Sequence, residues 1–315
     1  MTGDERAAMN VLAVADTVII LFILMAVGYA ALWTGILDTA TTLRLSRFLL
    51  NVTLPALLVA SMQLPLTLDL IAGIEGVLLV SVGYYAVAFL SAWIVPRALQ
   101  SPPAEEGVYQ FTLVFSNVAF MGFPVVESLL GGEALFYAAV FNLPFSVLIF
   151  SVGVLMMTAG RDRRRRFDAW LLINPGIAAS LIGVALFLAS VRIPPPFIGA
   201  IEILGGMTTP LAMVIVGAML ATFPAGDMVK NRKVFLVSGI RLLAIPAALW
   251  LILTPLLPDP LILSVVILLA AMPAAANSVL FAGEYGSSPE LASQVVFVTT
   301  LGSIVTIPLV AVLFV

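Results

Sequence analysis

Apolar residues come in repeated runs of about 20 or more, separated by short polar connections. A run of that length crosses roughly 30 Å of hydrocarbon as a helix rising about 1.5 Å per residue. The pattern predicts ten spans, at about 11–33, 42–62, 71–95, 108–130, 134–158, 169–190, 197–222, 233–256, 260–283 and 289–314. Connections such as QSPPAEEG and RIPPPF are rich in turn formers and too short for a soluble domain. The expected class is therefore an all-α integral membrane protein.

Composition sharpens that reading. Of 315 residues, 62% are apolar and 10% charged, with a mean hydropathy of +1.17. Soluble domains carry about 25% charged residues, so the bilayer is the expected solvent. Cysteine and histidine are both absent, which removes disulfides, thiolate nucleophiles and imidazole ligands. The usual general base of hydrolases is missing too. An intramembrane enzyme would need an aspartyl or Ser–Lys pair, and the span interiors offer no lysine and no aspartate pair. Neither catalysis nor a cofactor is expected. Asp4, Glu5 and Arg6 do not make a basic leader, and Asp16 interrupts the early apolar stretch, so Val11 to Trp33 reads as a retained span.

Charge placement predicts the topology. RDRRRRFD, at 161–168, is the only strongly basic run and reads as a cytoplasmic loop rather than a nucleic-acid patch. Alternation then puts Arg44, Arg47, Arg97, Lys230, Arg232 and Lys233 inside and both termini outside an inner membrane. The halves flanking that loop, 1–160 and 169–315, look alike. NVTLPALLVASM in span two parallels MTTPLAMVIVGAM in span seven, and Glu127 and Glu133 share the spacing of Glu284 and Glu290. Five spans per half predict an inverted repeat.

Spans four and nine contain helix breakers near their middles: Ser116, Asn117, Gly122 and Pro124 in one, Pro273, Asn277 and Ser278 in the other. Proline inside a helix removes a donor and clashes with the preceding turn, at about 3 kcal/mol or more. In lipid the freed backbone groups need protein or a water-filled cavity. Crossing breaks would present half-helix N-termini to an anion at mid-depth, with asparagine amides as further donors. The plainer reading makes the prolines kinks and the asparagines interhelical ties. Asn51, Thr53 and Pro55 in span two, with Thr208, Thr209 and Pro210 in span seven, are candidates for a facing wall. Threonines in such helices also commonly bond their own backbone.

These stretches resemble the auxin efflux carrier family, which includes plant auxin exporters and bacterial carriers of small carboxylates. The likeness rests on NVTLPALL in span two, SNVAFMGFPVV in span four, and AMPAAANSVLFAGEYG followed by SSPELASQVVFVTTLGSIVTIPL in spans nine and ten. It implies ten helices in an inverted repeat, a fold similar to bile-acid sodium symporters, and substrate at the crossing of spans four and nine. Asn117, Pro124 and Pro273 match the family's motifs; MPAAANS can be aligned in more than one way, which leaves Asn277 open. The resemblance further implies that spans one, two, six and seven form a scaffold, against which spans three to five and eight to ten move in an elevator-like cycle. Such scaffolds often pair, which would make a homodimer. The chain lacks the long hydrophilic loop of the plant exporters, which argues against auxin itself and against regulation by phosphorylation there.

Arg241 falls within span eight, as either a charge partner for substrate or a side chain snorkelling to the headgroups. No acidic pair sits beside the interrupted helices, which counts against a cation/proton antiporter. The function expected is carriage of a small organic anion, a carboxylate or weak acid, as a uniport or coupled to a proton or sodium. Sodium could be held by Thr299, Thr300 and Ser303. A sodium-coupled symporter of a larger amphipathic anion and a transporter-like receptor are the competing readings.

Overall fold

The structure, a computed structural model, describes residues 3–158, 175–222 and 231–314. The basic loop 161–168, the start of the sixth expected span and Lys230 lie outside the described residues. What is described is helical, as lipid demands of a chain whose backbone groups must be satisfied within each segment. In chain order the helices are α1 (Gly3–Trp33), α2 (Thr39–Phe48), α3 (Leu54–Ser61), α4 (Leu68–Ala98), α5 (Pro103–Val114), α6 (Phe123–Leu130), α7 (Gly132–Leu148) and α8 (Val154–Thr158). They continue as α9 (Pro175–Leu188), α10 (Pro195–Gly206), α11 (Thr208–Ala221), α12 (Arg232–Gly239), α13 (Ile245–Leu253), α14 (Pro260–Ala271), α15 (Ser278–Tyr285) and α16 (Pro289–Phe314).

Large apolar side chains face outward along whole helices: Ile19, Ile20 and Ile23 on α1, Leu79 and Val82 on α4, Val305 on α16. An aqueous surface would not carry such stripes; a bilayer requires them. The protein is a multi-pass membrane protein.

The number of spans corrects the sequence expectation. Among the described residues seven helical stretches are long and apolar enough to cross a membrane, with Pro175–Leu188 and Pro260–Ala271 apolar but shorter. Ten spans in two inverted five-helix repeats are therefore not what the fold has. The reason is continuity. The stretch expected as span four is cut into α5 of 12 residues and α6 of 8, and that expected as span nine into α14 of 12 and α15 of 8. Twelve residues rise only about 18 Å.

Short π-helical turns explain how several prolines are tolerated. Leu49–Thr53, Val118–Gly122 and Ile240–Ala244 immediately precede helices whose second residue is Pro55, Pro124 or Pro246. A widened turn relieves the clash of the proline ring and redistributes the missing hydrogen bond. These prolines thus sit in helices that bulge and continue.

Helices α1 and α11 pack backbone to backbone. A Cβ on Gly28 would strike the Val214 carbonyl, and one on Gly217 would strike the Met25 carbonyl. Small residues permit this approach where lipid supplies no hydrophobic drive for helix association. Helix α3 packs on α9 and α10, and α11 on α2. Helices α4, α5, α7, α14 and α16 enclose an aromatic interior in which Tyr84, Tyr85 and Phe141 lie with ring centroids 5.0–6.1 Å apart.

Candidate functional site

Two interrupted helices meet in the protein interior. Helix α5 ends at Val114, and Phe115 is extended, with φ −100° and ψ 111°. Helix α14 ends at Ala271, and Met272 is extended at φ −64° and ψ 148°. The extended stretches pair antiparallel through a bridge between Ser116 and Ala274. The Asn117 amide donates to the Pro273 carbonyl at 2.8 Å, and the Ala275 amide to the Phe115 carbonyl at 3.0 Å. Thr299 on α16 supports the junction: its Oγ1 accepts from the Ala274 amide at 3.2 Å while donating to the Val295 carbonyl at 2.6 Å. Each interruption therefore supplies partners for the backbone groups that the other leaves free.

Side chains at this crossover keep unused hydrogen-bonding capacity. Asn117 is buried and caps the following turn, its Oδ1 accepting from the Phe120 amide at 3.3 Å. Among the described residues the Ser116 and Ser278 hydroxyls are buried without a partner. Asn277 is half-buried and precedes α15 without a side-chain cap. Such orphaned groups cost about 1–3 kcal/mol each unless something outside the chain meets them.

The structure brings Ser116, Asn117 and Pro273 together, with Asn277 two residues beyond the paired stretch. It gives Gly122 and Pro124 other roles. The interruption lies at Phe115–Asn117, ahead of the π-turn, so Pro124 is not at the break. Gly122 is a packing position, where a Cβ would come within 2.8 Å of Leu269 on α14.

The expected facing wall divides. Helix α11 packs on the Val118–Gly122 turn, and Thr209 Oγ1 donates to Glu127 Oε2 of α6 at 3.1 Å. Pro210 is exposed. Asn51 is exposed and donates to the Arg47 carbonyl at 2.6 Å; Thr53 is buried and bonds the Leu49 carbonyl at 3.4 Å. Pro55 starts α3 after its π-turn. This stretch packs on α9, α10 and α11, and its polar groups are spent on its own helix. Ser303 also bonds locally, its Oγ donating to the Thr300 carbonyl at 2.6 Å. Among the described residues no cluster of three acidic, histidine or cysteine side chains could hold a metal ion.

The sequence profile described as "Membrane transport protein" matches residues 13–170 and 166–311. The chain belongs to this membrane transport protein family. Family membership makes it a transporter rather than an enzyme. An "Uncharacterized transporter" of Methanothermobacter thermautotrophicus is 28% identical over 300 residues, covering 93% of this chain and 96% of that one. A "Putative malonate transporter" of Rhizobium meliloti is 25% identical over 239 residues, covering 73% and 74%.

This membrane transport protein also carries a buried cation. Arg241, in the Ile240–Ala244 turn, is 0% exposed, so it does not snorkel to the surface; neighbouring helices enclose it completely. Its Nη2 lies 3.5 Å from the Tyr84 hydroxyl, which itself donates to the Val114 carbonyl at 2.9 Å. Arg241 is thereby tied to the last carbonyl of α5, three residues ahead of Asn117. Sequence reasoning missed Tyr84 and Tyr85. The available signal was two tyrosines in mid-span, where a hydroxyl needs a partner, instead of at the interface where the residue is common.

Proposed function

We propose that the protein is a secondary carrier of a small organic anion held at the crossover of the two interrupted helices. One observation carries this reading: the paired stretches satisfy each other's backbone yet leave the Ser116 and Ser278 hydroxyls buried without partners among the described residues, beside the buried Asn117 side chain. These are neutral donors beside helix N-termini, an environment suited to an anion. The relative named for malonate transport supports a small carboxylate as the substrate class.

The packing supports an elevator-type cycle. In this proposal α1, α2, α3, α9, α10 and α11 form a frame, welded by the α1–α11 approach. The remaining helices carry the crossover past it, exposing substrate first to one side and then to the other.

Uptake of radiolabelled malonate into proteoliposomes tests the assignment. Asn117→Ala is expected to lower uptake at least tenfold while the melting temperature stays within a few degrees of wild type. Undiminished uptake by that variant removes the crossover from the mechanism.

A further inference from the structure

Among the described residues Arg241 makes no ion pair, and its Nε and Nη1 atoms have no hydrogen-bond acceptor. The helices packed on its turn are α5, α13, α14 and α16, with α12 leading into it. Their charged residues, Glu105 and Glu106 on α5, Arg232 and Lys233 on α12, Glu290 on α16 and Asp259 capping α14, stand at helix starts and do not pair with it. Arginine keeps its charge in protein interiors, and a desolvated charge lacking a counter-ion is strongly unfavourable.

A second polar group is in the same condition. Among the described residues the Tyr85 hydroxyl is buried without a partner, and its ring packs edge-on against that of Tyr84, whose hydroxyl Arg241 approaches. Tyr84, Tyr85 and Phe141 wall this region with rings, and low polarity there strengthens any ionic contact that forms. Two guanidinium nitrogens, and a phenol one ring contact away from the tyrosine that Arg241 approaches, thus find no acceptor among the described residues.

We propose that Arg241 and Tyr85 form a carboxylate subsite, reached past the C-terminal end of α5 and separate from the neutral donors at Asn117. The inference rests on the carrier reading and deepens it: the substrate carries at least one full carboxylate, whose two oxygens suit the planar guanidinium. Arg241 is enclosed in this conformation, so an anion reaches it as the surrounding helices part, which an alternating-access cycle provides. With a monocarboxylate bound, substrate and side chain cancel in charge.

Binding of malonate, acetate and chloride to the purified protein in detergent, measured by calorimetry, tests the subsite in wild type and in Arg241→Met, Arg241→Lys and Tyr85→Phe. Malonate Kd is expected to rise at least tenfold in Tyr85→Phe and a hundredfold or more in Arg241→Met, with Arg241→Lys between them. Chloride is expected not to compete at millimolar concentration. An unchanged Kd in Arg241→Met overturns the proposal. Should Arg241→Met fail to fold, Tyr85→Phe decides: wild-type affinity there means Arg241 only balances the negative end of α5, and the subsite is lost. Chloride binding as tight as malonate binding also overturns the carboxylate assignment. Asn117→Ala separates the two readings. If it binds malonate like wild type while Arg241→Met does not, the crossover assignment fails and the subsite stands; the reverse pattern keeps the crossover and removes the subsite.

Discussion

Thr209 and Glu127 join α11 to α6 through one hydrogen bond, Thr209 Oγ1 donating to Glu127 Oε2 at 3.1 Å. Helix α6 follows the crossover directly, and α11 is packed backbone to backbone on α1. If the crossover travels past α11, this bond breaks in every cycle. Thr209→Val is therefore expected to lower thermal stability modestly, by roughly 0.6–1.7 kcal/mol for an interhelical bond in a membrane, while leaving malonate Kd unchanged. Unfolding melts read beside calorimetry check both halves of this statement.

Thr299 is expected to be structural. Its hydroxyl receives the Ala274 amide in the buried interruption. Thr299→Val leaves that donor orphaned, at about 1–3 kcal/mol, whereas Thr299→Ser restores the acceptor. Melting curves are expected to fall and recover accordingly, by the same amount with and without sodium. A loss confined to sodium-containing buffer would instead make the hydroxyl an ion ligand.

Gly217 gives a sharper structural test. Its α-carbon faces the Met25 carbonyl so closely that any side chain must push α1 and α11 apart. Gly217→Val is expected to destabilise by about 1–3 kcal/mol, the usual cost of overpacking. Gly199, with open space around it, is the control position: Gly199→Val should melt within a degree or two of wild type.

Asp38 supplies a pH dependence at the start of α2, outside the spans. Its carboxylate accepts from the Thr41 amide at 2.6 Å, and this bond holds its pKa below the ordinary value of 3.8. A folded pKa below the unfolded one means the cap contributes fully above 3.8 and is lost as pH falls through the lowered folded value. Amide exchange at Thr41 is expected to quicken over that acidic range in wild type and to be fast at neutral pH in Asp38→Ala.

The interrupted helices were legible because SNVAFMGFP and MPAAANS place polar residues and prolines where lipid tolerates neither. The location of the first break was less so. A proline signals a backbone problem, but a π-turn can absorb it, and Val118–Gly122 does so for Pro124 while the chain opens at Phe115. Span counting failed for a related reason, since hydropathy sums over a window and does not register whether the helix within it is continuous. The surroundings of Arg241 were hidden because sequence gives depth along a helix but not the neighbours it meets. Tyr84, which it approaches, lies 157 positions away.

The two-rung pairing at the crossover has a consequence for biogenesis. While the first part of the chain is leaving the ribosome, the Asn117 amide and Phe115 carbonyl have been made but Pro273 and Ala275 have not. Until they arrive, an open stretch of backbone must shelter in water or in the insertion machinery, because hydrocarbon offers it no hydrogen bonds. Nascent chains arrested before residue 273 should therefore be recognised and degraded by quality-control proteases, and synthesis through Ala275 should mark the point at which protection begins.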